Sequence, residues 1–301
     1  MNTKHQIILI GLLLCSFGFT HAVPLKLTVV LSETGGAYQE FSKALSVKLG
    51  NRNVSFDVID TGKPVPDSDL VIAVGMKAAF VVAQAKPVDM LAVLVPKEGF
   101  IKLLKDFSVQ VNAGNNSYSA IFLDQPANRQ LDLIAALLPE ARSVGVLYSD
   151  PPGDLASLHF QSVARKLKLN EYAVTSAASL HITLQEALVG SDVLLALPDA
   201  EIYNASTIRN ILLATYRNRV PLIGLSAGYV KAGALGAVFS TPENVAAQVA
   251  GIIADYAEKR SLPPAQYAKE FEVLVNMQVA HSLGLNVKSA TQLRNEIGTK
   301  P

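Results

Sequence analysis

Between residues 25 and 123, five short apolar segments (25–31, 54–59, 70–74, 90–95 and 118–123) are separated by stretches whose apolar residues recur every three to four positions, as at Tyr38, Phe41, Leu45 and Leu49. The short runs predict strands and the spaced ones helices. Glycine, proline and asparagine punctuate the joints, with Gly50 and Asn51 ending the first helix and Pro96 ending the fourth strand. At Asp124, Gln125 and Pro126 this series stops, and the same alternation starts again. It predicts a helix over 128–138, a strand over 144–148, a helix over 155–167, a strand over 171–174 and a short helix over 184–188.

The stretch from Val193 to Gly228 is a complete strand–helix–strand unit. Its strand segments VLLAL and VPLIGL are apolar without alternation, the pattern of parallel strands covered by helices on both faces. Polar residues gather after them, Pro198, Asp199 and Asn204 behind the first and Ser226 behind the second. Beyond lie a β-like segment over 233–239, a helix over 243–259 capped by Thr241 and Pro242, a strand over 271–275 and two helical pieces around Gly284. Two successive series of about 100 residues each argue for two doubly wound α/β domains.

Composition narrows what such a chain does. With 26 basic and 25 acidic residues the formal charge is +1, so no global field favours nucleic acid or an anionic membrane. The first 22 residues combine Lys4, an apolar run and the small-residue ending at Ala22, the pattern of a secretory signal peptide. Cys15, the single cysteine, lies within it, and the bulky Leu14 before it argues against lipid attachment. A mature chain without cysteine has neither a disulfide nor a thiol nucleophile, and it suits a periplasm.

Catalytic chemistry finds little support. His159, His181 and His281 are far apart in the chain and no G-x-S-x-G occurs, so no nucleophile–base pair is legible and no enzyme is expected. No G-x-G-x-x-G follows a strand, no phosphate loop is present, and no His/Cys/Asp/Glu cluster has metal-ligand spacing; neither cofactor nor metal is expected. Ligands of open α/β sheets bind at the carboxyl ends of strands. Asp124, Asp150 and Asp199 all stand there, equally able to serve as turn residues or as ligand contacts. Tyr38, Tyr148, Tyr203 and Tyr229 are candidates for stacking on a ligand or for ordinary packing. The loop Ser32-Glu33-Thr34-Gly35-Gly36 could cradle a carboxylate or simply make a tight turn.

Several segments taken together carry a family resemblance: DLVIAVG at 69–75, LLPEARSVGVLY at 137–148, VPLIG at 220–224 with VKAGA at 230–234, and VNMQVAHSLGL at 275–285. In their order and spacing they resemble the substrate-binding proteins of ABC importers, in the branch that takes up aromatic amino acids such as tryptophan and tyrosine. The resemblance implies a type I periplasmic-binding-protein fold, two α/β domains with a hinge and a cleft between them. It implies a first domain of 23–124 plus 227–260 and a second of 125–226 plus 261–301. The ligand would be held by Ser32, Glu33, Thr34, Gly75, Met76, Lys77, Asp124, Tyr148, Ser149, Asp150, Asp199 and Ser226. Within that set, Asp199 would take an amine or hydroxyl, the 32–34 loop with Ser226 an anionic end, and Tyr148 a ring or aliphatic face. Gly75-Met76-Lys77 puts bulk and charge where relatives carry a small hydroxyl residue after glycine, and Asp199-Ala200-Glu201 departs from their Asp-Asn-Thr.

The expectation is a monomeric periplasmic protein that captures a small polar or amino-acid-like ligand for an ABC permease of the inner membrane. A periplasmic sensor or partner-docking module using the same fold without transport is the alternative.

Overall fold

The computed structural model describes residues 24–50, 54–86, 89–107 and 117–298; the expected signal peptide lies outside the described residues, as does most of the 112–117 linker. The first series runs β1 (Leu25–Leu31), α1 (Gly36–Leu49), β2 (Val54–Asp60), β3 (Leu70–Val74), α2 (Met76–Ala85), β4 (Asp89–Val95), α3 (Lys97–Asp106) and β5 (Ser117–Phe122). The second runs α4 (Ala127–Leu137), β6 (Ser143–Tyr148), α5 (Leu155–Ala164), β7 (Lys168–Ala173), α6 (Leu180–Gly190), β8 (Val193–Leu195), α7 (Ile208–Asn218), β9 (Leu222–Gly224), α8 (Ala227–Ala232) and β10 (Gly236–Phe239). The chain ends with α9 (Pro242–Lys259), β11 (Gln266–Tyr267), β12 (Glu272–Val275), α10 (Met277–Ser282) and α11 (Ala290–Gly298).

These elements build two six-stranded sheets, ordered β11-β5-β4-β3-β1-β2 and β12-β10-β9-β8-β6-β7. Within each series the five strands therefore take the same order, fifth-fourth-third-first-second. All described pairings are parallel except that of β12 on β10. Burial explains the apolar runs: every residue of β3 and β4 is buried, whereas the edge strand β7 (KLNEYA) is largely open.

In the first lobe α1 and α9 cover one face of the sheet, packing Phe41 and Leu45 with Val249 and Ile253, and α2 and α3 cover the other with Ala79, Val82 and Phe100. In the second lobe Leu131, Ile134 and Leu158 of α4 and α5 share a core with Leu293 and Ile297 of α11. Leu184 and Leu188 of α6 and Ile211 of α7 fill the opposite face. No helix among the described residues is long and apolar enough to cross a membrane.

The chain crosses between the lobes three times, and two of the crossings correct the sequence reading. Residues 227–239 do not return to the first domain: β10 pairs with β9 through Gly236 and Ile223, so α8 and β10 remain in the second lobe. The return comes at Ser240 and Thr241, where Thr241 and Asn244 form a capping box that starts α9. Residues 261–301 do not all join the second domain, since β11 adds to the first sheet beside β5 before the chain crosses back into β12.

One hydrogen-bonded cluster ties all three crossings together. Gln125 Nε2 donates to Ser240 Oγ at 2.9 Å, and that hydroxyl donates to the Glu270 carbonyl at 2.6 Å. Arg129 Nη1 reaches Gln125 Oε1 at 2.6 Å and the Ala268 carbonyl at 3.1 Å, its guanidinium lying 4.3 Å from the Phe271 ring centre.

Candidate ligand cleft

Both sheets present their carboxyl ends to a cavity of about 340 Å³ between the lobes. The first lobe contributes Pro96, Lys97 and Glu98 after β4 and Asp124 after β5. The second contributes 148–152 and Asp154 after β6, and 197–201 after β8. The floor includes Gln125 of the hinge cluster and Gln130 of α4. The volume falls in the range of small-molecule sites, about 300–1,000 Å³.

Each wall is held by a carboxylate that receives main-chain N–H groups. Asp124 Oδ2 accepts from the Lys97 amide at 2.5 Å, fixing the first turn of α3. Asp199 Oδ2 accepts from both the amide and the hydroxyl of Ser149, at 2.6 and 2.8 Å, and Oδ1 accepts from the Glu201 and Ile202 amides at 3.0 and 3.3 Å. Asp199 thus joins the turn after β6 to the turn after β8, and both of its oxygens are engaged.

The lobes also touch across the cleft. Glu98 Oε1 accepts from the Gly153 amide at 3.0 Å, the Lys97 ammonium stands 3.6 Å from Asp154 Oδ2, and the Tyr267 hydroxyl donates to that same oxygen at 3.3 Å. Burial draws the Lys97 ammonium down, but Tyr267, Asp154 and Glu98 outweigh it and hold its pKa above the ordinary lysine range. Burial also raises the Asp124 carboxyl to about 6; the Lys97 amide opposes this, and the charges of Asp154 and Glu98 add to it.

Of the residues expected from the sequence, the structure brings Asp124, Tyr148, Ser149, Asp150 and Asp199 together in the cavity lining. Ser32, Glu33, Thr34, Gly75, Met76, Lys77 and Ser226 are not part of that lining. They follow β1, β3 and β9, whose ends do not border this cavity. Ser32 is instead buried and accepts the Ala78 amide at 2.9 Å, Gly75 lies against Ser32 and Tyr38, Met76 packs on Gly99, and Glu33, Thr34 and Lys77 are exposed.

Among the four tyrosines only Tyr148 lines the cavity, its hydroxyl donating to Glu171 Oε2 at 3.1 Å. Tyr203 is buried in the second-lobe core, where the Tyr229 hydroxyl donates to its carbonyl at 3.2 Å. His159 is paired with Glu171, the residue that also accepts from Tyr148, and is not part of the cavity lining. Among the described residues no group of three or more His, Cys, Asp or Glu is placed to hold a metal ion.

Sequence reasoning missed Lys97, Glu98, Asp154 and Glu201. Lys97 and Glu98 follow the strand ending at Val95 after only Pro96, so the rule that selected Asp124 would have found them. Tyr267 had no such signal, because β11 is two residues long.

Residues 65–294 match the family model described as ABC transporter substrate binding protein. A tyrosine-binding protein of Clostridioides difficile (strain R20291) is 23% identical over 264 residues, covering 83% of this chain and 74% of that one. Two solved structures share the fold over most of their length. A domain from Streptococcus pneumonia in complex with L-Trp superposes with a TM-score of 0.65 at 17% identity, covering 90% of this chain and 98% of that one. The ligand-free, open form of a substrate binding protein with adhesive properties from Clostridium difficile gives 0.67 at 15%, covering 88% and 96%. The architecture is that of the type I periplasmic-binding proteins.

Proposed function

The chain belongs to the family of ABC transporter substrate binding proteins, and on that premise we propose that it captures a small polar or amino-acid-like molecule outside the cytoplasm and delivers it to an ABC permease. Proteins of this family bind small ligands and are not enzymes. The observation that carries the reading is the cavity at the carboxyl ends of β4, β5, β6 and β8, lined from both lobes and floored by the hinge. A molecule seated there touches both lobes at once, so its binding energy favours the closed arrangement over the open one. The tyrosine bound by the Clostridioides relative and the tryptophan in the Streptococcus structure support a ligand of that size.

Asp124, Tyr148, Ser149, Asp150 and Asp199 are the proposed cleft residues from the sequence, with Lys97, Glu98, Asp154 and Glu201 added by the geometry. Export by the 1–22 signal peptide, a periplasmic location and a monomeric state belong to the same proposal. A thermal-shift screen of the protein against amino acids, amines, sugars and nucleosides tests it. A cleft ligand raises the melting temperature by mass action, and a flat response across all four classes would overturn the reading.

A further inference from the structure

Resting on that reading of the cleft, we infer that its ligand is an organic cation, a protonated amine without a carboxylate, rather than a zwitterionic amino acid. Six carboxylate side chains line the cavity, those of Glu98, Asp124, Asp150, Asp154, Asp199 and Glu201, against the single ammonium of Lys97. Lys97 is itself committed within the protein, 3.6 Å from Asp154 Oδ2 and 5.5 Å from the centre of the Tyr267 ring.

The second observation concerns donors. A ligand carboxylate in an α/β cleft is ordinarily received by main-chain N–H groups at strand-to-helix turns. Here the chain's own carboxylates occupy five such groups. The amide of Lys97 is taken by Asp124, those of Ser149, Glu201 and Ile202 by Asp199, and that of Gly153 by Glu98. The Ser32–Thr34 loop and Ser226 stand outside the lining. An incoming carboxylate meets like charge, and these five amides are already filled.

An ammonium meets the reverse. Asp124 uses only Oδ2 among the described residues, which leaves Oδ1 to accept, and Asp150 and Glu201 extend the acceptor surface on the second lobe. A cation paired with Asp124 offsets the desolvation that raises its carboxyl, favouring the ionised form.

Calorimetric titration of the protein with matched pairs, tyramine and tyrosine, agmatine and arginine, cadaverine and lysine, separates the two charge types on one carbon frame. In at least one pair the amine binds ten-fold or more tighter than its parent amino acid. That binding weakens with added salt and falls at least five-fold in Asp124→Asn or in the exposed Glu201→Gln. A smaller preference, its reverse, or unchanged affinity in both variants overturns the inference. Binding of uncharged or anionic compounds and of none of the amines overturns it while leaving the cleft reading intact. A protein that binds no compound of any class in the thermal-shift screen overturns both.

Discussion

The Gln125 side-chain amide donates to the Ser240 hydroxyl at 2.9 Å, joining the first crossing between the lobes to the second. Because that hydroxyl itself donates a hydrogen bond to the Glu270 carbonyl on the third crossing, one buried serine links all three connecting segments. A hinge built this way has a defined axis while both lobes keep independent cores. Ser240→Ala leaves the Gln125 amide without its acceptor and the Glu270 carbonyl without its donor, a cost of about 1–3 kcal/mol. Urea unfolding reads that loss. Hydrogen exchange at 240–241 and 268–271 speeds up more than in either lobe's sheet.

The pH dependence follows from Asp124, whose carboxyl is raised to about 6 in the folded protein against an ordinary value of about 3.9. Between these values the native state binds more protons than the unfolded chain, so this group's contribution makes stability fall as pH rises from about 4 to about 6. Above that window the cost of the ionised carboxyl is fully present. Asp124→Asn keeps an acceptor for the Lys97 amide and removes the charge. It is therefore more stable than the parent at pH 7.5 by about 1–2 kcal/mol, and the difference vanishes towards pH 4. Parallel denaturation curves at pH 4, 5, 6 and 7.5 measure it.

The order of elements was readable because strands buried on both faces, such as β3 and β4, leave uninterrupted apolar runs, and because Thr241-Pro242 is a local helix-start signal. The affiliation of β10 was not. Its GAVF pattern is compatible with either sheet, and only the pairing of Gly236 with Ile223 decides between them. The cleft was half readable for a similar reason. Strand-end position selects Asp124 and Asp199, but it selects Ser32 and Ser226 equally, since one strand's sequence does not say which strand ends face the other lobe. Nor does it say that main-chain amides have already filled the Asp199 carboxylate.

Gly75 makes a steric prediction in the turn after β3. Its φ is +86°, and a Cβ there would stand 2.6 Å from Ser32 Oγ and 2.8 Å from Tyr38 Cζ. Both neighbours are held, Ser32 by the Ala78 amide and Tyr38 by packing on the first-lobe core. Gly75→Ala therefore combines left-handed strain with overpacking and costs about 2–4 kcal/mol. The urea midpoint drops accordingly. Affinity for a cleft ligand changes little where the protein is folded, because Gly75 does not line the cavity.

Asp199 distinguishes a positioning group from a direct ligand contact. Its carboxylate accepts three amides and a hydroxyl from two loops, which leaves little capacity for a ligand amine. Asp199→Ala strands the amides of Ser149, Glu201 and Ile202; the part-buried bonds from Ser149 and Ile202 to a charged acceptor are worth about 1.5–3 kcal/mol each before solvent replaces them, and the exposed one from Glu201 less. The expected outcome is a loss of stability, faster hydrogen exchange at 149 and 201–202, and weaker ligand binding through the disordered wall. Asp199→Asn restores one acceptor oxygen and recovers part of both stability and affinity. If Asp199 instead contacted the ligand directly, affinity would collapse in Asp199→Ala with exchange at these amides unchanged, so calorimetry and exchange on the same variant decide between the two roles.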